Sequence, residues 1–414
     1  MSSRFRSRRP ARALVVLSIA LVGGGSLVGL WWCQRPAEQL RRALATLEAR
    51  DWERLQYQQF ALPRSNEYAA PSSLFAAALK LQRRDFLPAL RELGYAAADP
   101  KIRPRAWVLS GEALYAQNRF REAELNFKHA LELDPDLVEA HRWLAIAYYD
   151  IGLMAEALRH LQQVADLDPR DPRPHRIMAV IHLDRGSYAI AVEDFEESLR
   201  RDPRQLDRQE ILTELAQAQL TLKRFDDAQR TLASCHESPE VLAMRADAFF
   251  ALGDAAQAKR VAEKALQPGS EQRLALLVLG KLALNERRYD DAIDLLSKGS
   301  EAASSDYDVQ YTLLTALRAA GRAEDAEKQV RAVEELRGLR ERFDGLLEQA
   351  VSDPYNAEIR YQMGILADRL DMPRVAQSWL KAAVVLDPHH RLAQSEVKKH
   401  GAAVFNAAET LRGN

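Results

Sequence analysis

The sequence predicts an all-α fold built from repeated pairs of helices. Pro135, Pro169 and Pro203 stand 34 residues apart, and each follows an aspartate at the end of an apolar helical pattern. Small residues keep the same interval, at Ala123, Ala157 and Ala191. A period of this length is typical of a helix–turn–helix unit that stacks on its neighbours.

Residues 104–137 show how one such pair is expected to pack. Apolar residues recur at three- and four-residue spacing, with Trp107 on the first predicted helix and Phe127 on the second. Gly111 is small enough to let the two helices approach closely. Pro135 ends the second helix because it lacks an amide proton and clashes with the preceding turn. One pair cannot bury both of its faces, so we expect the units to stack into a solenoid.

The pattern resembles the tetratricopeptide repeat family. In residues 104–137 the family's signature positions are held by Trp107, Gly111, Ala123, Phe127, Ala130 and Pro135. Residues 138–171, 172–205 and 357–390 keep several of these positions, and weaker matches fill the intervals between them. The resemblance implies a right-handed superhelical solenoid whose first helices line a concave, partner-binding surface.

This organisation divides the chain after its N-terminal region into five parts. We expect a degenerate helical pair and connection at 36–69, tetratricopeptide-like repeats at 70–340, a linker helix at 341–356, one more repeat at 357–390, and a capping helix and tail at 391–414. A capping helix with a polar outer face is what the open end of a solenoid requires.

Residues 13–32 form an uncharged apolar run preceded by a basic arm, residues 1–12, with five arginines. Twenty helical residues rise about 30 Å, enough to cross a bilayer core. The positive-inside rule places the arm in the cytoplasm and the repeats on the extracytoplasmic side. We therefore expect an uncleaved, single-pass signal anchor. A cleaved signal peptide and lipid attachment at Cys33 are the alternatives; no small-residue cleavage site follows the run, and bulky Trp32 disfavours lipid attachment.

Composition and motifs favour a binding protein over an enzyme. The net charge of −1 gives no general attraction to nucleic acid. We find no phosphate-binding glycine loop, no H-E-x-x-H zinc motif, no paired CxxC and no G-x-S-x-G turn. We therefore expect no catalytic residues, no cofactor and no metal. Gly25 and Gly29 have the spacing of closely packed membrane helices, which leaves oligomerisation open.

The resemblance implies partner contacts at set positions of each first helix. Arg142, Arg173 and Arg176 fall at these positions and form an expected basic patch, with Tyr115 and Tyr149 nearby. Guanidinium groups bind carboxylates in a bidentate way, so the patch predicts an acidic protein or peptide partner. The alternative is ordinary surface charge, paired with Glu139, Asp150 and Asp184. The next candidate surface surrounds Tyr361 and Ile365.

The function that we expect is a membrane-anchored scaffold that binds proteins or peptides through the concave face of the solenoid. Bacterial proteins of this layout often serve in envelope assembly, secretion or polysaccharide export, an expectation by analogy of architecture. The alternative is a structural subunit of a larger membrane complex.

Overall fold

The computed structural model describes residues 37–63, 65–266, 273–302 and 304–400. Within these ranges the chain is helical and contains no strand. The basic arm and the apolar run at residues 13–32 lie outside the described residues. Among the helices inside them, none combines the length and the apolar character needed to span a bilayer. The chain divides into two compact units, Met1–Pro135 and Asp136–Asn414.

The first unit consists of helical pairs joined by short turns. Its helices are α1 (37–48), α2 (Trp52–Ala61), α3 (Ala69–Gln82), α4 (Phe86–Ala96), α5 (Arg103–Tyr115) and α6 (Phe120–Leu133), with a short 3₁₀ helix at Asn66–Tyr68. Buried apolar side chains from α1 to α5 form one continuous cluster that includes Leu55, Phe75 and Leu93. A helical pair around Trp52 is therefore present.

The second unit continues the same alternation of first and second helices. Its helices are α7 (Val138–Asp150), α8 (Met154–Leu167), α9 (Arg173–Asp184), α10 (Tyr188–Arg201), α11 (Arg208–Thr221), α12 (Phe225–Ala233), α13 (Pro239–Ala251), α14 (Ala255–Ala265), α15 (Arg273–Asn285), α16 (Tyr289–Ala302), α17 (Tyr307–Ala319), α18 (Ala323–Ser352), α19 (Ala357–Arg369), α20 (Pro373–Leu386) and α21 (Arg391–His400). The strongest packing lies within each pair, as between α7 and α8 or α19 and α20.

The turn inside each pair contains a residue with left-handed backbone geometry. Asn118, Gly152 and Gly186 have φ angles of 61°, 77° and 71° and stand at the predicted 34-residue interval. Glycine adopts this conformation without strain because it has no Cβ atom. Gly253 and Gly321 occupy the same place in two further pairs, and the remaining pairs use larger residues, namely Arg50, Arg84, Lys223, Arg287 and Asp371. The turn geometry therefore marks the repeat even where the sequence pattern is weak.

Small residues on first helices face large residues on second helices. A Cβ atom at Gly111 would overlap the Phe127 ring, so the two helices approach closely at Gly111, as the sequence pattern predicts. Gly280 and Gly364 repeat the arrangement, because a Cβ atom at either position would lie 2.6 Å from the leucine Cγ of the second helix, Leu296 or Leu380. The absent side chain is what lets the two helices of these three pairs come together.

The C-terminal part of the second unit departs from the regular period. The linker helix expected at 341–356 is the C-terminal portion of α18, a single helix of 30 residues. Residues 323–352 contain no proline, and Pro354 follows the end of the helix, so nothing interrupts the hydrogen-bond ladder earlier. The helix α21 then packs on α20. The rest of the expected cap, residues 401–414, lies outside the described residues.

We expect Gly111→Leu to destabilise the first unit by about 1–3 kcal/mol, because the new side chain must displace the Phe127 ring from a packed core. Thermal and urea unfolding followed by circular dichroism will measure the change. Gly94→Leu is the matched control, since no atom lies within 4 Å of a Cβ placed there. Equal effects from the two substitutions would contradict the proposed helix contact.

Candidate partner-binding surface

The first helices α7 and α9 carry most of the residues that the sequence nominated. Arg142 and Tyr149 lie on α7, and Arg173 and Arg176 lie on α9. Tyr115 lies at the end of α5 in the first unit and is half-buried. The centroids of its ring and of the Phe120 ring are 5.2 Å apart, and the rings pack edge to face. Tyr115 therefore belongs to a different compact unit from the other four residues.

Arg142 and Arg173 converge on one buried carboxylate in the turn between α8 and α9. Nη2 of Arg142 lies 2.8 Å from Oδ2 of Asp171, and Nε of Arg173 lies 2.7 Å from Oδ1. Burial acts to raise the pKa of Asp171, but the two guanidinium groups outweigh it and hold the pKa below its usual value. Arg142 also pairs with Glu139. Both arginines therefore stabilise the junction between two repeats.

Arg176 is fully buried and is surrounded by carboxylates from the next repeat. Its guanidinium group lies 3.3 Å from Asp207 and 3.4 Å from Glu210, and it pairs closely with Glu214 on α11. It also lies over the Phe195 ring, 5.5 Å from the centroid. A buried charge of this kind requires charged partners of its own. The expected basic patch is thus neutralised by acidic residues of the same chain.

The last repeat packs against these same first helices. Arg374, near the start of α20, lies 2.7 Å from Asp184 on α9 and pairs closely with Glu214 on α11. Glu214 is therefore shared, with one oxygen towards Arg176 and the other towards Arg374. Burial acts to lower the pKa of Arg374, but the charges of Asp184 and Glu214 reverse this and raise it. We call the surface formed by Tyr149, Arg176, Asp184 and Glu214 the first-helix face.

Tyr149 lies where α20 meets α7. Its side chain is buried, and burial raises the pKa of its hydroxyl well above the usual value. The negative charge of Asp184 adds to this effect, whereas the Ser378 side chain and the positive charge of Arg374, both on α20, oppose it. Ile146 and Val180 lie at other first-helix positions where the family resemblance implies partner contacts. Both side chains are buried as well.

An aromatic side chain fixes the second contact of the last repeat. The Trp379 ring of α20 packs directly against Gly152, where any Cβ atom would overlap it. Arg360 of α19 lies over the same ring at 5.2 Å, is 1% exposed, and donates a 2.9 Å hydrogen bond to the Pro354 carbonyl. Burial lowers the pKa of Arg360. The face therefore holds α20 through both charge and shape.

Sequence reasoning missed Glu214, Arg374 and Trp379 as parts of this surface. Arg374 contacts residues 190 and 160 positions earlier, and no local pattern encodes such a distance. One signal was available: Arg360 stands at the position of its repeat that Trp107 occupies in residues 104–137. A charged residue at a core position indicates an unusual neighbour.

A groove of about 500 Å³ lies between α18 and α19. It is lined by Tyr361 and Ile365, the next candidates from the sequence, together with Arg342, Leu346, Gln349 and Leu366. The centroids of the Tyr361 and His390 rings are 4.9 Å apart. This groove is distinct from the first-helix face and is open to solvent. In the described part of the chain, no cluster of three or more His, Cys, Asp or Glu side chains has the arrangement of a metal site.

Comparison with protein-family models identifies the repeats. Two models described as tetratricopeptide repeat match this chain, one over residues 114–181 and the other over 178–233 and 243–307. The chain therefore contains tetratricopeptide repeats over residues 114–233 and 243–307. The matched ranges include the helices that form the first-helix face. No curated protein matches the chain in sequence.

Solved structures of tetratricopeptide repeat type are similar to the chain at low identity. A tetratricopeptide repeat protein from Parabacteroides merdae is 16% identical, with a TM-score of 0.36, over 60% of this chain and 99% of its own. The pilF protein of Pseudomonas aeruginosa is 18% identical, with a TM-score of 0.38, over 50% and 95%. The APC/C hetero-tetramer Cut9-Hcn1 is 13% identical, with a TM-score of 0.34, over 89% and 90%.

We expect Arg176→Ala to lower the free energy of unfolding by about 3–5 kcal/mol, because it removes a fully buried guanidinium group that pairs with Asp207, Glu210 and Glu214, and leaves Arg374 to neutralise Glu214 alone. Chemical denaturation followed by circular dichroism measures the loss. The control is Arg185→Ala at the exposed end of the same helix, which should change stability by no more than about 0.5 kcal/mol. A surface role for Arg176 would make the two variants alike.

Proposed function

We propose that the protein is a scaffold that binds protein or peptide partners through the first helices of its repeats. The observation that carries this proposal is the packing of α20 on the first-helix face, where ion pairs and a buried tryptophan hold a helix in place. Surfaces of tetratricopeptide repeats generally serve to bind proteins. A surface that holds one helix by side-chain contacts has the chemistry to bind another.

The groove around Tyr361 and Ile365 in the second unit is open to a partner. Tyr115, half-buried in the first unit, stays a predicted contact. Partner binding by Arg142, Arg173 and Arg176 stays a prediction, and their intrachain pairs change how it must be tested. Reversing all three charges would disturb the buried carboxylate Asp171 and the core around Arg176, so loss of binding would not identify a contact.

We expect a photoreactive amino acid at Tyr115 or Ile365 to give discrete covalent adducts in cells that produce the protein. Positions on exposed outer surfaces, Lys328 and Leu206, are the controls. Gel shifts followed by mass spectrometry identify the trapped protein. Identical adducts from the control and groove positions would contradict binding through the first helices.

The proposal extends to the place of the scaffold in the cell. An uncharged run at residues 13–32 behind an arginine-rich arm supports a membrane anchor with the repeats on the extracytoplasmic side. That placement supports a role in envelope assembly, secretion or polysaccharide export.

We expect the full-length protein to stay with membranes through carbonate and high-salt washes and to dissolve in detergent, because twenty apolar residues bury in the bilayer. A variant without residues 1–35 should remain in the supernatant. A reporter that works only in the cytoplasm, fused after Asn414, should be inactive. Release of the full-length protein by carbonate would exclude the anchor, and an active reporter would reverse the topology.

A further inference from the structure

The first-helix face carries more negative than positive charge of its own. Asp207, Glu210 and Glu214 pair with Arg176, and Asp184 pairs with Arg374, so the first helices and the turn before α11 supply four carboxylates but only one of the two guanidinium groups that these carboxylates contact. Burial raises the pKa of Asp184 and of Glu210, and the negative charge of Glu214 raises both further, whereas Arg176 and Arg374 act to lower them. Arg374 supplies a second cation, and it comes from another repeat.

The same face has a fitted place for a large aromatic ring. Gly152 has a φ angle of 77° and no space for a Cβ atom, because the Trp379 ring occupies that volume. Arg374 and Trp379 lie on one helix, so a single helical segment satisfies both the acidic site and the glycine surface. A helix that binds here must therefore supply both a positive charge for Asp184 and Glu214 and a large ring that fits over Gly152.

The contact between the last repeat and the first-helix face also has features of one that can dissociate. Its ion pairs to the first-helix face are formed by side chains that retain some exposure, 27% for Arg374 and 17% for Asp184. Its own pair contact, between α19 and α20, is far more extensive than its contact with α7. The two helices therefore stay together as a pair when the contact with the face is broken.

We propose that the first-helix face is a binding site for a helix bearing an arginine and an aromatic residue, and that α20 occupies it in cis. A partner gains access by replacing Arg374 with an arginine of its own. This inference rests on the proposed function, and it reverses the expected chemistry of the partner, from an acidic to a basic segment. The physical reason is that the arginines nominated by the sequence are already neutralised, whereas Asp184 and the second oxygen of Glu214 take their cation from α20.

The cis contact is tested with Arg374→Glu in the full chain. Like charges at Asp184 and Glu214 should expel α20, and amide hydrogen exchange in residues 144–152 and 373–386 should accelerate at least about tenfold, the factor that corresponds to about 1.4 kcal/mol. The matched control is Arg369→Glu, which breaks a 2.8 Å pair with Glu335 between the neighbouring helices α18 and α19 and should leave α7 protected. The double variant Arg374→Glu with Asp184→Lys restores opposite charges and should recover protection.

The site itself is tested with a fluorescent peptide of residues 371–390 added in trans. It should bind the Arg374→Glu protein at least about tenfold more tightly than the wild type, in which the site is filled. The same peptide carrying Arg374→Glu should not bind to the Arg374→Glu protein. The unmodified peptide should not bind to the double-variant protein, in which α20 again fills the site. If Arg374→Glu fails to fold, Arg374→Gln removes the charge without reversing it and takes its place in both experiments.

The inference would be overturned if amide exchange in α7 did not change on loss of Arg374. It would also be overturned if the Arg374→Glu protein bound the unmodified peptide and the Arg374→Glu peptide equally well. These readouts do not depend on the cellular adducts at Tyr115 and Ile365. Failure of the crosslinking experiment with success here would leave a self-binding site without a scaffold role. The reverse result would leave a scaffold whose partners use other surfaces.

Discussion

Close approach of the two helices in each repeat is the constraint on which the rest of this structure depends. Gly111, Gly280 and Gly364 lie where a Cβ atom would collide with Phe127, Leu296 and Leu380 of the second helix. Because each pair closes in the same way, its outer surfaces fall at the same places, and the next pair can stack on them. The packed pair therefore sets which residues of each first helix remain available to form a face.

Charge then decides what that face can bind. Buried guanidinium groups need charged or hydrogen-bonding partners close by, and the arginines of the first helices find carboxylates in two ways. Arg142 and Arg173 share Asp171 in the turn between repeats, and Arg176 uses Glu214 from the next first helix. Arg374 differs from all three, because its partners belong to repeats far away in sequence. It joins the end of the second unit to its beginning.

The sequence predicted the parts of this protein that repeat. The 34-residue interval of prolines and small residues predicted helical pairs, and the interval reappears in the left-handed turn residues Asn118, Gly152 and Gly186. The close approach of the two helices at Gly111 was also predicted, although its specific contact with Phe127 was not. Such features are local, since helix periodicity and turn geometry depend on residues a few positions apart. The family matches agree with this prediction over residues 114–233 and 243–307.

The nominated surface shows the limit of the same reasoning. The family resemblance nominated Arg142, Arg173 and Arg176 on first helices, but it predicted neither the burial of Arg176 nor Asp171 and Glu214 as the carboxylates that neutralise them. Nor did it bring Arg374 to Asp184 and Glu214, or Trp379 to Gly152. The sequence by itself determined the helices, their pairing and the residues presented by each first helix, because these depend on local periodicity. Only the tertiary structure decided which charges meet, because a contact across 160 to 190 residues depends on the summed geometry of every repeat between.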